Sequence, residues 1–336
     1  SEERVVLFMY VASAATMTTK QMDFFSSLVR SHWMPEILVV GSVAFDSVET
    51  PFGKAEEVLG GSATYFSTSA SFFTGVNLVA VVGEDFPDAH ITSLSKKGIN
   101  IGGLRKVPGK TFRWKGYYGY DLNQAHTLET HLNVFSSFNP EVPEEYKDVP
   151  FVFLANIDPE LQMKVLEQVR KPRFVACDTM NFWIEGKPEA LKELLNKVDL
   201  FVINEGEARE LSGEASLVKA AKAILGYGPK TLIVKRGEYG ALMFSGGSVF
   251  SSPAYPLEEV FDPTGAGDTF AGGLMGYLAA TGELSEDNIR KAIIFGSVMA
   301  SFNVEAFSLE RLDTLTLPEI KSRYSEFKQL THFEDI

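Results

Sequence analysis

Six short runs rich in Val, Ile, Leu and Phe punctuate the chain, at residues 37–41, 78–83, 151–155, 174–177, 200–203 and 231–235. They are almost continuously apolar rather than alternating, as strands buried on both faces must be. Between them lie stretches of helical period at 62–73, 160–170, 188–196, 216–225, 267–280 and 285–302, several opened by the Ser or Pro that helix starts favour. This alternation predicts an α/β fold, a three-layer sandwich with a mostly parallel central sheet and helices on both faces. Two segments break the rhythm. Residues 47–58 and 110–133 mix aromatic and polar side chains and read as extra strands or loops that together form a small β lid. Closure of such a lid would exclude water from a reacting group.

A length of 336 residues accommodates one large α/β domain with a small appendage, and no repeat, low-complexity block or Pro/Ser linker divides it. The net charge of −13, from 31 basic and 44 acidic side chains, opposes nucleic-acid binding, which rests on Lys and Arg neutralising phosphates. Any anionic ligand therefore needs a local site. The single cysteine, Cys177, excludes an intrachain disulfide framework and a multi-cysteine metal site, in keeping with a cytoplasmic, reducing location. The apolar stretch at 5–15 is too short to span a bilayer, and Glu2 and Glu3 are wrong for a signal peptide, so no membrane partner is expected. Residues 1–33 read as an N-terminal extension ahead of a main domain at 34–336.

In open α/β sheets ligands gather beyond the carboxyl ends of the strands. Asp46, Asn156, Asp158, Asp178, Asn181, Asn204 and Glu207 all closely follow predicted strands, which makes one rim polar and acidic. The same residue types also form turns and caps. The most informative stretch is Asp262-Pro263-Thr264-Gly265-Ala266-Gly267-Asp268-Thr269-Phe270-Ala271-Gly272-Gly273, a small-residue loop entering a helix. Glycines let the backbone approach a ligand, and the first N–H groups of a helix have no internal partner, so they can converge on an anion. Asp268, in that first turn, either complements the helix dipole or accepts a proton from an attacking hydroxyl.

This stretch resembles the C-terminal signature of the ribokinase-like, PfkB-type carbohydrate kinases. The resemblance implies that Gly265, Ala266 and Gly267 form an anion hole and that Asp268 is the catalytic base. Three further segments match in the family's order, so the likeness runs from about residue 37 to 307. Gly41-Ser42-Val43-Ala44-Phe45-Asp46 resembles the first strand and its substrate-binding Asp. Gly60-Gly61-Ser62-Ala63 resembles the N-terminal Gly-Gly signature. Asn204-Glu205-Gly206-Glu207 resembles the Asn-x-x-Glu motif that organises Mg²⁺, largely through water, and the triphosphate. Asp46, Gly60 and Gly61 would then touch the acceptor, while Asn204 and Glu207 serve ATP and Mg²⁺. From residues alone, Asn204 and Glu207 also fit a helix-capping pair, and both roles can coexist. Lys235-Arg236-Gly237 resembles the family's turn near ATP. Gly237 fits the turn, while the basic pair meets either phosphate or solvent.

The likeness implies an ATP-dependent transfer of phosphate to a hydroxyl, a hydroxymethyl group above all, of a sugar or sugar-like molecule. A nucleoside kinase on the same fold and a catalytically silent sugar- or nucleotide-binding regulator are the alternatives. Thr64-Tyr65-Phe66 replaces the Asn that many sugar kinases of the family carry there, which alters the acceptor pocket and favours a bulkier acceptor. Arg113 or Trp114 in the lid would cover the substrate. Val304-Glu305-Ala306-Phe307-Ser308 departs from the glycine-containing loop that helps bind a monovalent cation in some relatives, leaving that requirement open. Lid strands could pair across a homodimer, although no sequence feature demonstrates it. Gly109-Lys110-Thr111 lacks the earlier glycine of a P-loop, since Leu104 stands there.

Overall fold

The computed structural model describes residues 36–332, so the extension predicted over 1–33 lies outside the described residues. The strands, in chain order, are β1 (Ile37–Val40), β2 (Ala44–Thr50), β3 (Gly53–Gly60), β4 (Val76–Gly83), β5 (Ile99–Val107), β6 (Phe112–Tyr118), β7 (Ala125–His131), β8 (Phe151–Leu154), β9 (Phe174–Cys177), β10 (Leu200–Asn204), β11 (Thr231–Lys235), β12 (Ala241–Ser245) and β13 (Ser248–Ser252). Nine form one sheet in the order β13-β12-β11-β10-β9-β8-β1-β4-β5. From β5 to β11 every neighbouring pair is parallel, and β12 and β13 run antiparallel at the far edge. All six apolar runs lie in this sheet, and β1, β4, β8 and β9 are buried along their whole length.

The period of two sorts the strand side chains between two helix layers. Leu38, Val40, Val152, Leu154, Phe201 and Ile203 pack against Val165, Leu191, Leu194 and Ile224 of helices Pro159–Gln168, Pro188–Leu195 and Leu217–Leu225. On the other face Phe153 stacks on Phe66 of helix Ser62–Ala70, with ring centroids 4.3 Å apart. Strand β1 lies between β4 and β8, so the chain leaves it to one side and later returns on the other. A crevice at the carboxyl ends of such strands is where ligands bind.

The lid is a second sheet, β3-β2-β6-β7, in which β2 and β6 pair in parallel and the outer two strands are antiparallel to them. It begins at Ala44 rather than 47, so Asp46 is a lid residue and not part of the turn after β1. Asp46, Val48 and Thr50 form its buried face. Strands β5, β12 and β13 were not among the runs read from the sequence, although Ala241–Phe244 of β12 is itself apolar. Strand β5 is a half-exposed edge, and the β12–β13 hairpin announces itself instead by Gly246-Gly247, at φ of 54° and 86°, in a two-residue turn.

Helix Ala266–Thr281 is wedged between helices Ser62–Ala70 and Glu286–Asn303. A Cβ on Gly272 would lie 2.4 Å from the Phe66 carbonyl oxygen, and one on Gly276 3.0 Å from the Ala70 backbone. On the opposite side, a Cβ on Gly273 would meet the Met299 side chain at 2.8 Å and one on Gly296 the Phe270 carbonyl at 2.7 Å. Bare backbone is thus the packing surface, which fixes the loop before this helix against the turn before Ser62. Gly272→Ala should therefore destabilise the protein by about 1–3 kcal/mol, as an overpacked core does. Gly186→Ala, where nothing lies within 4 Å, should stay within about 0.5 kcal/mol of the parent. Equal urea midpoints for the parent and Gly272→Ala would show that the helices separate freely.

Candidate active site

The loop 262–268 is held from both ends. Asp262, 1% exposed, accepts hydrogen bonds from the Thr264 amide at 2.9 Å and the Ser308 amide at 3.2 Å. Asn303 donates to the Thr264 carbonyl at 2.9 Å and accepts from the Thr269 hydroxyl at 3.0 Å. The Phe261 amide donates to the Val304 carbonyl at 2.8 Å, so segment 304–308 clamps the loop. Gly265 caps the helix at φ 71°, and a Cβ there would meet the Tyr65 ring at 2.3 Å, so only glycine fits. The predicted trio of anion-hole amides is reduced by one: the Ala266 N–H donates to the Pro263 carbonyl at 3.2 Å. Gly265 and Gly267 are left with open N–H groups among the described residues. A Cβ on Gly267 would fall 2.6 Å from Lys235 Nζ, which puts a cation beside the second amide.

Asp268 lies partly buried in the first turn of helix Ala266–Thr281. Burial pushes its carboxyl up to about 6, against the opposing pull of Lys235. Asp178, 3% exposed, follows β9, and its Oδ1 has no partner among the described residues. Its carboxyl is raised well above the usual range by burial first and then by the charge of Asp268, with Lys235 acting the other way. Glu207 is raised by burial and held down by Lys235. Lys235 is thus a cation facing three carboxylates. Its neighbour Arg236 turns away to Glu205, at 2.7 Å.

Asn204 and Glu207 form a full capping box at the start of helix Glu205–Ser212. The Glu207 amide donates to Asn204 Oδ1 at 2.8 Å, and the Asn204 amide donates to Glu207 Oε2 at 3.0 Å. The cap fixes the Glu207 carboxylate on the Lys235 side of the cleft. Gly237, at φ 54°, opens the turn after β11 and lies against the lid tip, where a Cβ would be 1.6 Å from Asn123 Oδ1.

On the acceptor side, Gly60 and Gly61 shape the pocket of Asp46. A Cβ on Gly60 would be 1.9 Å from Asp46 Oδ2, and the Gly61 amide donates to the carboxylate. Burial pushes Asp46 up to about 7; the Gly61 bond resists, and the charges of Asp262 and Asp268 add to the rise. The turn is pinned to the end of β1 by reciprocal bonds, Ser42 N–H to Ser62 Oγ at 3.2 Å and Ser62 N–H to Ser42 Oγ at 3.0 Å. Trp114 is paired in register with Asp46, and its indole lies across Gly116, where a Cβ would meet it at 2.4 Å. Two residues further along, the half-buried Tyr118 accepts a bond from Thr264 Oγ1 at 3.4 Å, closing the lid onto the loop.

Several sequence expectations change. Arg113 does not cover substrate, because it bridges Asp85 and Glu57, both at 2.8 Å, under the Phe45 ring. Phe66 stacks within the core, and the equally buried Tyr65 lies with its ring against Gly265. Asn156 accepts from the Trp183 indole at 3.0 Å, and Asp158 caps helix Pro159–Gln168, so neither belongs to the site. Asp178 was read only as one of the polar rim residues, with no role of its own, and Tyr118 was not singled out. The strand-end position signalled the first, whereas nothing short of the lid's register signals the second.

The donor set suits a triphosphate with Mg²⁺. Among the described residues no three His, Cys, Asp or Glu side chains converge to cage a metal. Mg²⁺ held through water and phosphate needs only the orphaned Asp178 oxygen and Glu207, with Lys235 and two bare amides for the phosphates.

Residues 34–314 match the pfkB family of carbohydrate kinases. The chain is 33% identical, over 250 residues, to a cytidine kinase of Thermococcus kodakarensis, covering 73% of this chain and 89% of that one. Its fold is similar to that of a nucleoside kinase of Methanocaldococcus jannaschii, with TM-score 0.70 and 21% identity over 87% of this chain and 99% of that one. It is similar also to a Burkholderia thailandensis nucleoside kinase in complex with inosine, with TM-score 0.70 and 19% identity over 86% and 97% of the two chains. A family match from before β1 to the end of helix Glu310–Thr314 places this chain in the pfkB family of carbohydrate kinases, as an ATP-dependent phosphotransferase acting on a hydroxyl of a sugar or nucleoside.

Proposed function

We propose that the acceptor is a nucleoside, phosphorylated on a hydroxymethyl group with Asp268 as the general base. The observation that carries the acceptor class is the aromatic character of the lid strand paired with that of Asp46, which bears Trp114, its indole over Gly116 and donating to Thr127 Oγ1 at 3.1 Å, and Tyr118. A planar base gains by stacking on such rings, whereas a bare pentose or a cyclitol does not. The likeness to a cytidine kinase and to nucleoside kinases supports the same reading. Asp46 then accepts hydrogen bonds from the ribose.

In the reaction, Asp268 takes the proton of the acceptor hydroxyl as its oxygen attacks the γ-phosphorus in line, and the bond to the bridging oxygen of ADP breaks. The Gly265 and Gly267 amides and Lys235 face the charge that develops on the transferred group. Mg²⁺, when bound with ATP, would neutralise triphosphate charge, its waters held by Glu207 and Asp178. No helix among the described residues is long and apolar enough to cross a membrane, and a cytoplasmic location fits an enzyme that draws on ATP. A silent regulator on this scaffold would have no need for Asp268, the open amides and Lys235 together.

Asp268→Asn should lower kcat by about 10²–10⁴-fold while MgATP affinity stays within a few-fold. Near-normal turnover would refute the assigned base. Because the carboxylate is the active form and burial lifts Asp268 to about 6, kcat/KM should rise with pH through that value and level off above it. Below it the rate should fall about tenfold per pH unit; a flat profile down to pH 4.5 would contradict the role. In a panel of cytidine, uridine, adenosine, inosine, ribose and myo-inositol, a nucleoside should give the fastest ADP release, and Trp114→Ala should raise its KM about tenfold. Ribose or inositol as the best acceptor would overturn the nucleoside assignment. Ligand binding by calorimetry with no ADP from any acceptor would favour the binding-only reading.

A further inference from the structure

One hairpin of the lid touches the opposite wall of the cleft at two places. At the end of β6, Tyr118 meets Thr264 of the loop 262–268. Further along, in the turn before β7, Asn123 reaches the turn that follows β11, the strand that ends in Lys235. Asn123 Oδ1 accepts a hydrogen bond from the Glu238 amide at 3.2 Å, and Asn123 Nδ2 donates to Glu238 Oε1 at 3.4 Å. A Cβ on Gly237 would stand 1.6 Å from the same Oδ1, so a side chain larger than hydrogen there would push the hairpin off. Lys235 Nζ in turn lies beside Gly267, where a Cβ would be 2.6 Å from it. The two contacts therefore carry the hairpin across from the loop of Gly265 and Gly267 to the turn of Lys235.

Asn123 also serves its own turn, where its amide and its Nδ2 both donate to Asp121 Oδ1, at 3.0 and 3.2 Å. Bonds of that kind are what an Asp-initiated turn makes by itself. They leave Oδ1 unused, and it is this oxygen that the Glu238 amide meets. Asn123 and Glu238 are both exposed, so their contact is weak enough to form and break without disturbing the core. Strand β6 bears Trp114 and Tyr118 on the acceptor side, while the turn it grips through Asn123 belongs to the side of Lys235. An element that meets both sites in one arrangement couples them, and the coupling is reciprocal.

We propose that Asn123 is a positioning residue that couples the two substrates: with the lid closed on the acceptor, its bonds to Glu238 hold the hairpin across the donor side, so that each substrate tightens the binding of the other. It acts through the turn after Lys235 and not on the reacting atoms. This rests on the reading that places the acceptor beside β6 and the triphosphate beside Lys235. It goes beyond that reading by naming the contact through which one site senses the other.

The test is Asn123→Ala, measured by calorimetry with adenylyl imidodiphosphate and Mg²⁺ and with whichever acceptor the parent phosphorylates fastest. In the parent, the saturating nucleotide should lower the acceptor Kd about tenfold or more. In Asn123→Ala each ligand alone should bind within about twofold of the parent, and the urea midpoint should be unchanged, as for other exposed positions. The mutual tightening should shrink about fivefold or more, the size expected for one or two exposed hydrogen bonds. Glu238→Ala should lose part of the same tightening, and adding it to Asn123→Ala should change nothing further, because both act through one contact. Mutual tightening within twofold of the parent's in Asn123→Ala would overturn the proposal, as would a parent whose two substrates bind independently. Weaker binding of each ligand alone, with the tightening intact, would also overturn it, by showing that Asn123 only shapes the lid. If ribose and no nucleoside is turned over, the nucleoside reading alone fails, and the coupling is then measured on ribose.

Discussion

The site depends on how closely helix Ala266–Thr281 approaches its two neighbours. Gly272 and Gly276 bring it against the backbone of Phe66 and Ala70, and Gly273 with Gly296 does the same on the Glu286–Asn303 side. Helices that touch through bare backbone cannot slide by even a methyl group without a clash. The first turn of that helix carries Gly265, Gly267 and Asp268, and the first turn of its neighbour follows Gly60 and Gly61. One packing contact therefore sets the spacing between the Gly265 and Gly267 amides and the pocket of Asp46. The lid closes the assembly through Tyr118 and Thr264.

Electrostatics then divides the cleft into two halves. Lys235 faces Asp178, Glu207 and Asp268 at the ends of the parallel strands, on the side where a triphosphate and its cation would enter. Asp46 stands on the other side with Tyr65, Trp114 and Tyr118 and forms no ion pair among the described residues, Arg113 being committed to Asp85 and Glu57. Both Asp46 and Asp268 sit above the ordinary carboxylate range because burial disfavours their charged forms. A base poised close to neutrality is suited to taking a proton from a hydroxyl.

The sheet was legible in the sequence wherever a strand is buried on both faces, since β1, β4, β8, β9, β10 and β11 each leave an uninterrupted apolar run. The edge strands β5 and β13 escaped because exposure on one side removes that signature, and β12, though apolar over Ala241–Phe244, was passed over. The loop that enters helix Ala266–Thr281 and the Asn204–Glu207 capping pair were legible because they are local: loop, cap and helix start lie within a few residues of one another. Tyr118 and the true facing of Arg113 were not, since they arise from strand register and from side chains brought together from distant segments, Tyr118 with Thr264 and Arg113 with Glu57 and Asp85. Tyr65 was noticed as a departure from a family pattern, but its unpartnered oxygen and its contact with Gly265 exist only in the folded chain.

A crystal structure of the enzyme with ADP, Mg²⁺, aluminium fluoride and cytidine would test most directly the claim that two amides, one lysine and one aspartate surround the transferred phosphoryl group. The account predicts fluoride ligands within hydrogen-bond distance of the Gly265 and Gly267 N–H groups and Lys235 Nζ, with the nucleoside hydroxymethyl oxygen against Asp268 and its base on Trp114. A fluoride group lodged away from those amides, or an acceptor hydroxyl directed at some other side chain than Asp268, would contradict it.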